Sequence, residues 1–342
     1  MQATQAAQAA RVTNAAHLTN AAYVADVTAP TTPTDVADMT DVRNVGQMRQ
    51  AILDRVLRTA VEKAAAPGQL RFTERQLYYE MCRVLQPWHR APRRAQFTSA
   101  PALTYDAYRT TLRRHGPESV AGLLPPAVPA PRQAAGRHTP EPDLFDYGLP
   151  RLLVCESDDI AAMLRANGVP MESACPVYGA SELPLYPGVL RMLSLAERGT
   201  VYLLHDASAR GLTFPARFAR SVDLPEGVRV VPLGLRPRQA GALHLVHGRG
   251  PAYAAVPAQG PAPFVLGGTG AGPGTGPGVG AALSRWERDW LRRGRFVELA
   301  AVNPASLIRT VHRLVREVRP PRSQLTELRQ VRRAGFLSWP TA

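Results

Sequence analysis

The chain has 342 residues, enough for about two domains, and its 41 basic and 27 acidic residues give a net charge of +14. That balance favours a polyanionic partner, with nucleic acid first. No apolar stretch approaches the roughly 18–20 residues of a membrane helix, and the three cysteines lack metal-ligand spacing. We therefore expect a reduced, cytoplasmic protein with no membrane partner and no disulfide framework.

The charge is unevenly distributed along the chain. Residues 71–115 contain nine arginines and three acids, and residues 281–342 contain thirteen arginines and five acids. The stretch 151–233 contains eight arginines and nine acids. This distribution predicts two basic regions on either side of a nearly neutral centre.

Residues 1–40 are rich in Ala, Thr and Asn without a helical period, which predicts a disordered tail. From Val45 onward, apolar residues recur at helical spacing and predict an amphipathic helix that ends near Pro67. Thr73 and Gln76 then form a capping-box pattern, which places the start of a second helix at Thr73. On that helix Tyr78 shares the apolar face and is predicted to point into the core.

A second face of this helix carries Arg75, Tyr79 and Arg83, spaced one turn apart. A phenol between two guanidiniums could meet a phosphate with its charge compensated, so Tyr79 is a candidate nucleophile with Arg75 beside it. The alternative is that Tyr79 is an ordinary solvated side chain on a basic helix.

A third helix is predicted to begin after Thr104, with arginines on its outer side. Three short helices with basic edges favour a winged-helix-like DNA-binding module, and the alternative is a helical cap on the following domain. The candidate DNA contacts of this module are Arg83, Arg93, Arg94, Arg109, Arg113 and Arg114.

Continuous apolar strands alternate with helices between Arg151 and Leu233. The strands are predicted at Leu152–Cys155, Pro176–Tyr178, Val201–Leu204 and Val228–Val231, with helices at Asp158–Asn167, Gly188–Arg198 and Gly211–Ser221. This alternation predicts an α/β domain built on a parallel sheet with helices on both faces.

Acidic residues directly follow two of these strands, Glu156 after the first and Asp206 after the third. Paired carboxylates at the carboxyl ends of parallel strands could bind Mg²⁺, which prefers oxygen ligands. Alternatively, both acids cap the helices that follow them. Spacing alone leaves both interpretations open.

The predicted organisation has six segments. They are a disordered tail (1–40), a winged-helix-like domain (41–124), a Pro-rich linker (125–147), an α/β domain (148–247), a Gly/Pro-rich insert (248–281) and an Arg-rich helical tail (282–342).

The order of these parts resembles the A subunit of DNA topoisomerase VI and the related meiotic double-strand-break transesterases. The resemblance rests on Arg75-Gln-Leu-Tyr-Tyr79, Leu-Val-Cys-Glu156 and His205-Asp206-Ala-Ser208, and it covers roughly residues 45–235. It implies a winged-helix domain followed by a Toprim domain, with Tyr79 as nucleophile. It also implies metal ligation by Glu156, Asp206 and the position of Ser208.

Two positions depart from the family pattern. Ser208 stands where the family has the second acid of Asp-x-Asp, and a hydroxyl is a weaker Mg²⁺ ligand than a carboxylate. Gln76 stands where the tyrosine motif often has an acid. Asp158 or Asp159 could compensate for the missing charge.

The resemblance implies Mg²⁺-dependent DNA breakage, in which Tyr79 attacks a phosphate, forms a phosphotyrosyl link and releases a 3′ hydroxyl. It further implies double-stranded DNA as partner, a homodimer, a nucleoid-associated location and a separate ATPase subunit, since the chain shows no nucleotide motif of its own. Two alternatives stand beside this isomerase-type activity. One is a catalytically degenerate DNA-binding or partner-binding member of the same fold. The other is a Toprim nuclease of an SMC-like plasmid-defence complex.

Overall fold

The structure is a computed structural model, which describes residues 33–92, 96–128, 148–196, 198–251, 264–265 and 283–316. The chain divides into two compact units, Met1–Ile52 and Leu53–Ala342. Helix α1 spans Pro33–Ala65, so residues 33–40 are helical where the sequence predicted disorder. Proline suits the first turn of a helix, because its fixed φ is helical and its missing N–H would have no partner there. Residues 1–32 of the predicted tail lie outside the described residues.

The next two helices begin where the sequence predicted. Helix α2 spans Glu74–Leu85, and its capping box is present: the amide of Gln76 donates to Oγ1 of Thr73 at 3.1 Å and the amide of Thr73 donates to Oε1 of Gln76 at 3.0 Å. Helix α3 spans Tyr105–His115 and is capped by Thr104. Residues 96–128 contain no β-hairpin after α3, so the winged-helix interpretation stays a prediction.

The predicted parallel sheet is present. Its strands are β1 (Arg151–Cys155), β2 (Val177–Gly179), β3 (Thr200–Leu204) and β4 (Arg229–Pro232). They lie in the order β2-β1-β3-β4 with every pair parallel. A short strand, Phe264–Val265, adds to β4 in the antiparallel sense. The chain is therefore an α/β protein, as predicted.

Helices connect the strands in turn. They are α4 (Asp158–Ala166), α5 (Val169–Ser173), α6 (Pro187–Leu195), α7 (Ala209–Leu212), α8 (Phe214–Ser221) and α9 (Pro237–Ala242). The helix predicted over Gly211–Ser221 is thus two helices that meet at Thr213. Pro215 lies in the first turn of α8, a position that favours a new helix start over a continuous helix.

The C-terminal part adds two helices and a short strand. These are α10 (Arg285–Arg292), the strand Arg295–Phe296, which pairs antiparallel with Gly248–Arg249, and α11 (Pro304–Val315). Between them, Val297 and Ala207 exchange backbone hydrogen bonds of 2.9 Å in both directions. A 3₁₀ turn at Leu299–Ala301 follows.

Alternate residues of the strands enter two apolar clusters, one on each face of the sheet. Leu153 and Tyr202 belong to the first cluster, which also holds side chains of α2, α3, α4 and α11. Leu152 and Val201 belong to the second, with α6 and α8. One buried cluster therefore contains side chains from both predicted domains, 41–124 and 148–247. The predicted boundary between them stays a prediction.

Gly211 allows the chain to turn tightly after β3. A Cβ atom at this position would lie 2.1 Å from the carbonyl oxygen of Asp206. We expect Gly211→Ala to lower the free energy of unfolding by about 1–3 kcal/mol, because the backbone must shift to admit the methyl group. Gly46→Ala is the control, since a Cβ there meets nothing within 4 Å. Denaturant unfolding should show a loss of stability in Gly211→Ala but not in Gly46→Ala. Equal stabilities of the two variants would contradict the prediction.

Candidate active site

Parallel pairing of β1 with β3 brings the two predicted acids together. Cys155 lies opposite Leu204 in the register, and the amide of Glu156 donates to the carbonyl of Leu204 at 2.8 Å. The chain leaves β1 towards β2 on one side and leaves β3 towards β4 on the other, so the sheet has its topological switch point here. Ligands of open α/β sheets bind at such points, outside the carboxyl ends of the strands.

Glu156 is neutralised by Arg217, which no pattern in the sequence indicates as its partner. Its Oε1 lies 2.7 Å from Nη2 of Arg217 in α8, and Nε of Arg210 lies 3.9 Å away. Its Oε2 accepts from the amide of Asp206 at 3.3 Å. The Glu156 side chain is 13% exposed. A carboxylate this buried needs a compensating charge, and Arg217 supplies it.

Asp206 holds the C-terminal segment against the end of β3. Its Oδ1 accepts from the amide of Leu299 at 2.7 Å. Burial raises the pKa of Asp206 to about 7, and the nearby charges of Glu156 and Glu298 add to the rise, whereas the Leu299 hydrogen bond and Arg75 oppose it. Asp206 is therefore partly protonated near neutral pH.

Glu298 completes the site. It follows Val297, whose pairing with Ala207 brings it to the sheet edge, and its Oε1 lies 2.7 Å from Nη2 of Arg75. Burial raises the pKa of Glu298, and Arg75 and a side-chain hydrogen bond with Tyr79 oppose the rise. Its only signal in the sequence is an acid after two apolar residues, a run too short to predict a strand.

Tyr79 is buried, which excludes the alternative that it is an ordinary solvated side chain. It is 3% exposed and Tyr78 is 5% exposed, with ring centroids 5.0 Å apart. Helix α2 is covered on one side by the tyrosines of α3 and on another by the 3₁₀ turn Leu299–Ala301, so two faces are buried instead of one. Burial, followed by the negative charge of Glu298, raises the pKa of the Tyr79 phenol far above its usual range despite Arg75.

A cavity of about 170 Å³ joins the two halves of the site. Arg75 from α2, Asp159 from α4, Asp206 from the end of β3 and Glu298 all line it. Arg75 also stacks on the ring of Tyr105, with its Cζ 4.4 Å from the ring centroid. The predicted tyrosine helix and the predicted acidic sheet edge thus meet within one chain.

Arg83 does not face solvent, which corrects its prediction as a DNA contact. Its guanidinium pairs with Glu80 and donates to the carbonyl of Ala301, and its side chain is 10% exposed. Asn303 also donates to Glu80, at 3.3 Å. Arg83 therefore joins α2 to the C-terminal segment.

The predicted DNA contacts on α3 have different environments. Arg109 and Arg113 are exposed, and Arg109 lies 3.6 Å from Glu74. Arg114 pairs with Asp54 of α1 at 2.5 Å, so its charge is already compensated. Arg93 and Arg94 lie outside the described residues.

The predicted Mg²⁺ ligands are engaged otherwise. Glu156 binds Arg217, and Oγ of Ser208 caps α7 by accepting from the amide of Gly211 at 2.8 Å. Oδ1 of Asp158 accepts from the amide of Ser181. Among the described residues, no group of three or more His, Cys, Asp or Glu side chains is placed to hold a metal ion. In this arrangement the site does not fit Mg²⁺, because the guanidinium of Arg217 already pairs with the carboxylate of Glu156.

No family model, curated protein or solved structure matches this chain. In the described part of the chain, no helix combines the length and apolar character required to cross a bilayer.

The raised pKa of Asp206 predicts a pH-dependent stability. Its folded pKa of about 7 exceeds the ordinary aspartate pKa of 3.8, so the folded state keeps a proton that the unfolded state loses first. That contribution to stability is complete below about pH 4 and is lost as pH rises towards 7. The stability lost over this pH range is at most about 4–5 kcal/mol, because the shift is about 3 pKa units and each unit corresponds to about 1.4 kcal/mol.

We expect Asp206→Asn to flatten this dependence, so that the variant gains stability relative to the unmodified chain as pH rises from 4 to 7. Urea unfolding at several pH values in EDTA measures the difference. Using the difference between the two proteins cancels the titration of His205, whose pKa burial lowers. A constant difference across this pH range would contradict the shift.

Proposed function

We propose that this chain is a DNA-binding protein of topoisomerase-VI-A-like architecture that contacts the duplex backbone through α3. The observation that carries the proposal is the pair of exposed arginines, Arg109 and Arg113, one turn apart on the outer face of that helix. Arg113 forms no ion pair with a described residue, and the Arg109–Glu74 pair at 3.6 Å is loose. Guanidiniums in this state can bind phosphate without first breaking a strong internal contact.

Aromatic side chains of α3 pack against α2, which supports the same function. Tyr78 packs against Tyr105 and Tyr108 with ring centroids 5.2 and 5.5 Å apart, and the hydroxyl of Tyr108 donates to the carbonyl of Glu74 at 2.9 Å. A helix anchored by buried aromatic side chains presents its outer arginines at fixed positions, as docking on a duplex requires. The net charge of +14 adds non-specific attraction to the backbone.

We expect Arg109→Glu/Arg113→Glu to weaken binding to a duplex at least about tenfold near 0.1 M salt, because each backbone contact depends on counterion release. The slope of log K against log salt should fall by about 2. Fluorescence anisotropy with a labelled duplex measures both quantities. Arg220→Glu/Arg229→Glu is the matched control, since both arginines are exposed and the substitutions make the same charge change on the α/β domain. Equal losses in both double variants would show that only net charge matters.

DNA breakage by Tyr79 is the second candidate function, and one observation favours it: the phenol lies beside Glu298 and Arg75. In this reaction the phenol proton passes to the carboxylate of Glu298, and the phenolate oxygen bonds to phosphorus. The bond to the 3′ oxygen breaks, and Asp206, with a pKa of about 7, gives that oxygen a proton. The reaction needs a conformation in which Tyr79 reaches the phosphate, because its phenol is buried here.

Covalent trapping on supercoiled plasmid tests this second function. We expect a protein–DNA adduct that Tyr79→Phe abolishes and Glu298→Gln reduces at least about a hundredfold, the usual size of a general-base contribution. Tyr105→Phe is the control, because it removes a hydroxyl that donates a hydrogen bond to Glu74. This variant should still form the adduct. Parallel reactions with Mg²⁺, Mn²⁺ and EDTA measure the dependence on metal.

The other outcomes separate the remaining alternatives. Cleavage that survives Tyr79→Phe but is lost in Glu156→Ala would favour the nuclease interpretation. Binding without cleavage under all three metal conditions would leave the DNA-binding function alone. The homodimer and the separate ATPase subunit that the resemblance implies stay predictions. Sedimentation of the chain with and without DNA would test the homodimer.

A further inference from the structure

A large groove lies on the other side of the C-terminal segment, outside the carboxyl ends of β3 and β4. Its volume is about 1010 Å³. One wall is α11, which contributes Asn303 at its N-cap and then Ser306, Leu307, Thr310, Val311 and Leu314. These positions follow the three- and four-residue spacing of one helix face, so the groove runs along the whole of α11. At 1.5 Å per residue, that wall is about 18 Å long.

The lining of the groove outside α11 is mainly apolar. Leu204 ends β3, Leu233 and Leu235 follow β4, and Leu243 follows α9. Leu243 and Leu314 both line the groove and are each 38% exposed. A mainly apolar groove that follows a helix of this length is the kind of surface that receives an amphipathic helix, which anchors in it by side chains one turn apart.

The groove carries positive charge at its edge. Arg309 and Arg313 line it, are exposed, lie one turn apart on α11 and form no ion pair with a described residue. The acid in the lining, Glu80, is already paired with Arg83. An occupant therefore needs apolar side chains for the floor and acidic ones opposite Arg309 and Arg313.

We propose that this groove binds an acidic amphipathic helix of a partner protein. The chain's own segment 317–342 has the wrong charge for this role, with five arginines and two acids. Duplex DNA could pair with Arg309 and Arg313, but its phosphate backbone would leave the leucines of the groove without apolar contacts. The interaction does not depend on DNA binding or DNA cleavage and uses none of the residues of α3.

A charge-swap experiment on the full chain tests the proposal. The probe is a fluorescein-labelled helical peptide of about 14 residues, about 21 Å long. It has leucines recurring every third or fourth position and glutamates on its flanks, and a second probe replaces those glutamates with lysines. Fluorescence anisotropy should show the acidic peptide binding about tenfold more tightly than the basic one. Arg309→Glu/Arg313→Glu should reverse that preference.

Arg285→Glu/Arg288→Glu on α10 is the matched control, since these arginines are exposed and do not line the groove. It should leave the preference for the acidic peptide unchanged. Equal binding of both peptides, no binding of either, or a preference that the groove variant does not reverse would overturn the proposal. Displacement of the acidic peptide by a synthetic 317–342 peptide would assign the groove to the chain's own tail, and displacement by a duplex would assign it to DNA. Either result also overturns the proposal.

Discussion

Reciprocal hydrogen bonds between Ala207 and Val297 are the contact on which the candidate site depends. They hold the C-terminal segment at the end of β3, and Asp206 reinforces them by accepting from the amide of Leu299. Glu298 lies between these two contacts and is thereby placed against Arg75 and Tyr79. This pairing therefore places Glu298 where the tyrosine helix meets the acidic edge of the sheet.

Charge compensation explains the arrangement around this contact. Several carboxylates gather at one partly buried edge, and each must be neutralised, protonated or hydrogen-bonded. Arg217 neutralises Glu156, Arg75 neutralises Glu298, and Asp206 instead has a pKa raised to about 7. Arginines thus perform the electrostatic role that a divalent cation would perform at an edge of this kind. An acid–base role for Asp206 and Glu298 is chemically consistent with that arrangement.

The features predicted well are those that neighbouring residues specify. The capping box at Thr73, the strands and the meeting of Glu156 with Asp206 follow from hydrogen bonds within a few residues or from strand period and parallel direction. The sequence left open whether Tyr79 is solvated, because helical phase gives the direction of a side chain but not how many neighbours cover the helix. Glu298 was not predicted at all, because it lies 223 residues from Arg75.

The sequence by itself determined the α/β class, the acids that follow two of the parallel strands and the basic face of α3. Those properties are periodic or local, so composition and spacing encode them. Only the tertiary structure decided the partners of the buried arginines. Arg217 pairs with Glu156 across 61 residues, and Arg83 donates to the carbonyl of Ala301 across 218 residues. Such pairs depend on packing between distant segments, and no short-range pattern in a single chain specifies them.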